Sequence, residues 1–239
     1  MVYENDSNRY LKQFIMDKRI SLQEAVSKIK DGMTIMVGGF LSAGSPLDIL
    51  DALAKSDVKD LTLISNDTAY QGVGVGNLIG AHKIKKLYVS HIGTNPDTAA
   101  QMNAGELEIE FCPQGTLAER IRCGGAGLGG VLTTTGMGTV IADGKPTVEV
   151  DGKTYLLEKP LHADIALIGA TVADERGNCV YVGTSQNFNP LMATAADVVI
   201  VEAEKIVPAG EIAPEAVITP HVFVTHIYQS TNNLQKVRE

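Results

Sequence analysis

The sequence predicts an α/β fold: a mixed, largely parallel sheet with flanking helices and an antiparallel hairpin insertion. Short β-branched runs such as 34–37 are stopped by glycine and followed by segments with helical spacing of apolar residues. The order strand, glycine turn, helix, strand then recurs, which is how a parallel sheet is written in sequence. Between about 138 and 158 the pattern changes to β-branched runs separated by Asp143-Gly144 and Asp151-Gly152, the turn chemistry of hairpins.

Each element follows in order. Leu22, Ala25, Val26 and Ile29 lie at helical spacing, with Ser21 as N-cap and Glu24 three residues on, predicting a capped helix that ends near Asp31-Gly32. The run 34–37 suits a buried strand and stops at Gly38-Gly39. Ser45-Pro46 opens a second helix with Ile49, Leu50 and Leu53 on one face. Strands are predicted at 61–65, 85–90 and 107–112, and a helix at 116–122. The insertion places strands at 139–141, 147–150 and 155–157. Strands return at 165–168 and 198–201, with a helix near 191–196, and Val222-Phe223-Val224 reads as one more strand.

The chain has 239 residues, 44% of them hydrophobic and 20% charged, enough apolar content for a core and too much for a disordered chain. No repeat or linker divides it, so 1–239 is read as a single domain, with an N-terminal extension at 1–20 and a tail at 230–239. Lys+Arg 20 against Asp+Glu 28 gives a net charge of −8. Such a surface repels phosphate backbones and anionic lipid, which argues against nucleic-acid and membrane partners. Cys112, Cys123 and Cys179 form no framework, and the N-terminus lacks the basic and apolar regions of a signal peptide. No apolar window approaches the roughly 18 residues of a membrane span. A cytoplasmic protein is expected.

Several stretches are candidates for chemistry. Gly38-Gly39-Phe40-Leu41-Ser42-Ala43-Gly44 joins a buried strand to a helix whose first amides could meet an anion or a carbonyl oxygen. A tight βα turn with no ligand explains the same residues. Gly125 to Gly130 matches G-x-G-x-x-G, the dinucleotide fingerprint, but it follows a predicted helix rather than a strand. Close packing, or contact with a partner's cofactor, fits that context better than a nicotinamide site. Glu106, Glu108 and Glu110 alternate with Leu107, Ile109 and Phe111, which favours a solvated strand face over an acid–base pair. Gln114, in Cys112-Pro113-Gln114-Gly115-Thr116, sits at a strand-to-helix junction. Its amide could donate to a developing oxyanion without titrating, or merely cap the turn. His82, His91, His162, His221 and His226 have no shared metal spacing, and neither a G-x-S-x-G elbow nor a cysteine nucleophile motif occurs. Binding loops are present; an evident nucleophile is not.

The string Asp31-Gly32-Met33-Thr34-Ile35-Met36-Val37-Gly38-Gly39-Phe40-Leu41-Ser42-Ala43-Gly44-Ser45-Pro46 resembles the signature of the family I CoA-transferase α subunit. SNDTAY at 65–70, SHIGTNPDTA at 90–99, PQGTLAERIRCGGAG at 113–127, TTGMGT at 134–139 and NFNPLMATAAD at 187–197 resemble it further, in the family's order. The resemblance implies a NagB/RpiA-like fold and a heteromer of α and β subunits, a heterotetramer or larger. It implies transfer of CoA between a short-chain acyl-CoA and a free carboxylate by a ping-pong route, with a β-subunit Glu as nucleophile. The β-type Ser-Glu-Asn-Gly motif is absent from this chain. By the same resemblance Gln114 is an oxyanion donor and 38–44 binds CoA. Coenzyme A is then a substrate, with no cofactor bound permanently. Gly124 to Gly127 resembles a loop near the active-site entrance. Leu128-Gly129-Gly130 is similar to the acetate, butyrate and acetoacetate transferases, whereas succinyl-CoA:3-oxoacid relatives tend to carry Pro there. Two departures stand out: about a dozen extra residues before the first family helix, and His221 after Pro220 where Gly is common. The readings from other classes are a nicotinamide oxidoreductase and a ligand-sensing module; the latter would carry a DNA-binding region, and no helix-turn-helix pattern occurs.

Overall fold

Strand β1 (Thr34–Val37) runs through the middle of the main sheet of a computed structural model that describes residues 17–231. Residues 1–16 of the expected N-terminal extension and 232–239 of the expected tail lie outside the described residues. The neighbours of β1 are β2 (Leu61–Asp67) and β8 (Ala163–Asp174), both parallel to it. Beyond β2 come β3 (Ile84–His91) and β4 (Glu108–Phe111); beyond β8 come β10 (Ala196–Val207) and β11 (His226–Gln229). Every pairing along this path is parallel, and the two-residue β9 (Cys179–Val180) adds an antiparallel partner to β8.

Alternation along β1 divides the core. Ile35 and Val37 point to a cluster with Ala25 of α1 (Leu22–Ser27), Ile49, Leu50 and Leu53 of α2 (Leu47–Ala54), and Leu78 and Ile79 of α3 (Val75–Gly80). Met36 points to the opposite cluster, with Leu117 and Ile121 of α5 (Gln114–Gly125) and Met192 of α6 (Asn189–Met192). The remaining helix, α4 (Pro96–Asn103), follows β3 and buries Thr98 and Gln101. Both faces of the sheet are therefore covered, as continuous apolar strands require. The capping box of α1 forms as expected: Ser21 Oγ accepts from the Glu24 amide at 3.2 Å, and Glu24 Oε2 accepts from the Ser21 amide at 2.7 Å.

The insertion is a separate three-stranded antiparallel sheet, in the order β5 (Val131–Thr133), β7 (Lys153–Glu158), β6 (Thr147–Val150). The hairpin around Asp151-Gly152 forms, but the third strand is 131–133 rather than 139–141. Val140–Ala142 is a single 3₁₀ turn capped by Thr139, whose hydroxyl accepts from the Ile141 amide at 3.2 Å; Val140, unpaired with any strand, stays 82% exposed. Val222-Phe223-Val224 is also not a strand. Lys18 Nζ donates to the carbonyls of His221 and Val224, both at 2.6 Å, and this holds the segment as a turn ahead of β11.

Candidate active site

The loop after β1 is fixed from several sides. The Gly38 amide still donates to Leu167 O at 3.0 Å, extending the β1–β8 ladder by one residue. A side chain at Gly38 would collide with Asn189 Oδ1, and one at Gly39, where φ is +131°, with Ser45 Oγ. Phe40 and Ala43 then exchange two backbone hydrogen bonds, 3.1 and 3.0 Å, closing a tight hairpin. At its tip Leu41 takes a left-handed conformation, φ +58°, and its amide donates to Asp67 Oδ2 at 2.9 Å. Asn187 braces the other side: its Oδ1 accepts from the Gly39 amide and its Nδ2 donates to Ala43 O, both at 3.0 Å. Asn189, fully buried, donates to Gly44 O at 2.9 Å and accepts from the Gly169 amide at 3.1 Å.

One expectation fails here. The first amides of α2 are not offered to a ligand, because those of Asp48 and Ile49 donate to the two carboxylate oxygens of Glu202, at 3.1 and 3.0 Å. What the loop exposes is its tip, with Phe40 at 46% exposure.

Gln114 is the first residue of α5, at the carboxyl end of β4, and its side chain is exposed. Its Nε2 donates to Asn66 Oδ1 at 2.7 Å. Asn66, buried at the end of β2, donates its own Nδ2 to Asp67 Oδ2 at 2.8 Å. A carboxylate only accepts, so Asp67 sets which way the Asn66 amide faces, and Asn66 in turn requires Gln114 to present nitrogen. Ser90 Oγ adds a donor to Asn66 O at 2.7 Å. The second hydrogen on Gln114 Nε2 is left for another acceptor. Asp67 Oδ2 is thus shared by the loop tip and, through Asn66, by Gln114.

A groove of about 520 Å³ joins the two, lined by Phe40, Gln114, Gly115, Ala118, Thr184, Asn187, Phe188 and Leu191. Of the 38–44 segment only Phe40 lines it. The lining contains neither carboxylate, thiol nor amine. It can hold an apolar chain and donate a hydrogen bond, but it offers no strong nucleophile of its own.

The other candidates fall elsewhere. Gly124 and Gly125 are the last residues of α5 and pack against Leu161 and Thr194, so the G-x-G-x-x-G run does not join a strand to a helix and the nicotinamide reading loses its geometry. Glu106 lies before β4 and faces His82 at 3.3 Å, and Glu108 is exposed beside Lys86 at 2.6 Å. Glu110 instead binds Arg120 of α5 at 2.6 Å. That buried guanidinium also faces Glu158 at 3.7 Å, and Lys145 meets Glu158 at 2.6 Å, so the strands of the insertion are tied to the main sheet. These groups line a second cavity of about 530 Å³, where the charges already answer one another. The three cysteines are free and buried; burial pushes the Cys112 thiol up to about 11 and Cys179 to about 12, away from nucleophilic use. No group of three potential metal ligands occurs among the described residues, and no helix among them is long and apolar enough to cross a membrane.

Asn66, Asp67, Asn187 and Asn189 build the candidate site; they lie within the strings at 65–70 and 187–197, but no individual role was read for them from sequence. Asn66 and Asp67 close the apolar run of β2, where α/β folds place ligands, whereas Asn187 and Asn189 stand in a polar stretch that carries no such local signal.

Comparison with known proteins agrees with this geometry. A family model described as Coenzyme A transferase matches residues 19–230. The chain is 52% identical over 213 residues to the acetate CoA-transferase subunit alpha of Escherichia coli K12, covering 89% of this chain and 97% of that one. It is 52% identical over 210 residues to the acetoacetyl-CoA:acetate/butyrate CoA transferase alpha subunit of Clostridium acetobutylicum, covering 88% and 96%. Among solved structures, an acyl-CoA transferase (YdiF) from E. coli O157:H7, in a thioester complex with CoA, superposes with a TM-score of 0.81 at 23% identity. That match covers 90% of this chain and 48% of the other, so the chain spans about half that structure's length and the likeness speaks for the fold. By sequence and by fold, the chain belongs to the coenzyme A transferase family.

Proposed function

We propose that this chain is the alpha subunit of a heteromeric enzyme that moves CoA between a short-chain acyl-CoA and a free carboxylate. The nucleophile is a glutamate of a β-type partner, in a heterotetramer or a larger assembly. The observation that carries this reading is the groove itself: Phe40 and Gln114 both line it, and its lining has no carboxylate, thiol or amine.

The partner's carboxylate attacks the thioester, expels CoA as thiolate and forms an acyl-glutamyl anhydride. The thiolate then attacks the glutamyl carbonyl, releasing the first acid and leaving a glutamyl-CoA thioester. A second carboxylate runs the sequence backwards and departs as the new acyl-CoA. Gln114 donates its second amide hydrogen to the oxygen that gains charge at each addition, and the Asp67–Asn66 pair keeps that donor in place. The 38–44 segment bears on CoA through its tip. Phe40, Ala118, Phe188 and Leu191 give an apolar lining with no cation for a second carboxylate, which supports acetyl, butyryl and acetoacetyl groups over succinyl. The three unpaired thiols support a reducing, cytoplasmic setting. Residues 1–239 are proposed to act as one domain.

Co-expression with a β-type partner tests the reading. The complex should exchange CoA between acetyl-CoA or butyryl-CoA and short-chain acids faster than with succinyl-CoA, and the isolated chain should be inert. An active isolated chain, or a complex inert with all of them, would contradict it.

A further inference from the structure

The carboxylate of Glu202 has no role in the chemistry above, yet it is 1% exposed in the middle of an apolar run on β10, between Val201 and Ala203. No ion pair to a Lys or Arg forms with it among the described residues. Its compensation comes from the start of α2, where Asp48 and Ile49 donate their amides to its two oxygens, and from Ser230 Oγ at 2.9 Å. The titratable groups facing it are Asp48 from α2 and Tyr228 from β11; its partner on β8 is Gly169.

Helices are ordinarily capped by the residue that precedes them. At α2 that residue is Pro46, which supplies no side-chain cap, and the cap arrives instead from a strand 154 residues away in sequence. The consequence is positional. The start of α2 is registered to β10 rather than to its own flank, and Ser45, one residue before Pro46, packs flush against Gly39. From Gly39 the hairpin runs directly to Phe40 in the groove wall. Asp48 extends the tie to the end of β11, accepting from the Tyr228 hydroxyl at 3.1 Å and the Thr231 amide at 2.7 Å.

We infer that Glu202 is a positioning residue for the substrate loop: by holding the first turn of α2 from β10, it sets where the hairpin places Phe40 in the groove. The kinetic arm of its test rests on the transferase reading; the exchange arm does not.

In the complex with its partner, Glu202→Gln is expected to raise KM for acyl-CoA about tenfold while kcat changes by no more than about twofold. In the isolated chain, hydrogen exchange at the Phe40 and Leu41 amides should accelerate about tenfold. Adding Pro46→Ser supplies a local cap. If Glu202 positions the loop, the double variant recovers thermal stability but neither KM nor exchange protection. Recovery of all three would reduce Glu202 to an ordinary helix cap and overturn the inference, as would an unchanged KM and exchange rate in Glu202→Gln. Should Glu202→Gln fail to fold, Ser230→Ala leaves both amide bonds in place. It should raise KM and exchange in the same direction, about threefold, and no change would count against the inference. If the wild-type complex transfers no CoA, the functional reading fails and the exchange measurements alone decide.

Discussion

Gln114 Nε2 donates to Asn66 Oδ1 at 2.7 Å, and this bond joins the start of α5 to the end of β2, 48 positions apart in the chain. Asn66 is itself oriented by Asp67, which also holds the Leu41 amide. The proposed oxyanion donor and the tip of the proposed substrate loop therefore depend on a single buried carboxylate.

Truncating the donor tests its role. Gln114→Ala is expected to lower kcat by about 10²-fold in the complex with its partner. Asn66→Ala leaves the donor present but unaligned, and a smaller loss, on the order of tenfold, is expected. Steady-state kinetics on both, with melting temperatures as control, separate this from a structural effect. An unchanged kcat in Gln114→Ala would make it a turn residue.

The glycine at the end of β1 is a packing requirement. In Gly38→Ala the new methyl meets Asn189 Oδ1, so Asn189 must give up its bonds to Gly169 N or Gly44 O. The expected cost is about 2 kcal/mol, read from denaturant midpoints. Gly129→Ala is the control: its added methyl meets nothing within 4 Å, and a change within about 0.5 kcal/mol is expected.

Much of the scaffold was legible in the amino-acid pattern. Strands β1, β2 and β3 and the capped α1 follow from β-branched runs and a capping box, signals that local sequence carries by itself. Val140 was misread because a β-branched residue in a 3₁₀ turn has the composition of a strand, and only the pairing of 131–133 with β7 tells them apart. The site was legible in part. Gln114 and the 38–44 loop were recognisable at strand-to-helix junctions, but Asn187 and Asn189 act on backbone groups more than 140 positions away. The Glu202 cap is likewise long-range, and it removed the helix-end donors that a local reading of Ser45-Pro46 suggests. Contacts of this kind appear only once the sheet order is known.

Glu202 also makes stability depend on pH. Burial raises its carboxyl to about 7 from an ordinary 4.5, and the Ile49 and Asp48 amides only partly offset this. An acid with a raised native pKa keeps its proton longer in the folded state. Its contribution is therefore fully present below about 4.5 and is lost as pH rises through about 7, by up to a few kcal/mol. The difference in unfolding free energy between wild type and Glu202→Gln, measured from pH 5 to 8, should fall over that interval and level off above it. A flat difference would contradict the assignment.

Arg120 should be the costliest charge to remove. Arg120→Ala strips Glu110 of its 2.6 Å partner and weakens the compensation of buried Glu158, at an expected cost of about 3–5 kcal/mol. Thermal and denaturant unfolding check the magnitude. Protease cutting within 131–158 should accelerate, because the guanidinium ties that sheet to α5 through Lys159 O at 2.8 Å.

The most direct measurement concerns the origin of the attacking carboxylate. The reconstituted complex is incubated with acyl-CoA, reduced with borohydride to convert any glutamyl thioester to an alcohol, digested and mapped by mass spectrometry. The account predicts one modified glutamate, on the partner subunit, with every glutamate of this chain intact. A modified glutamate within this chain would contradict it.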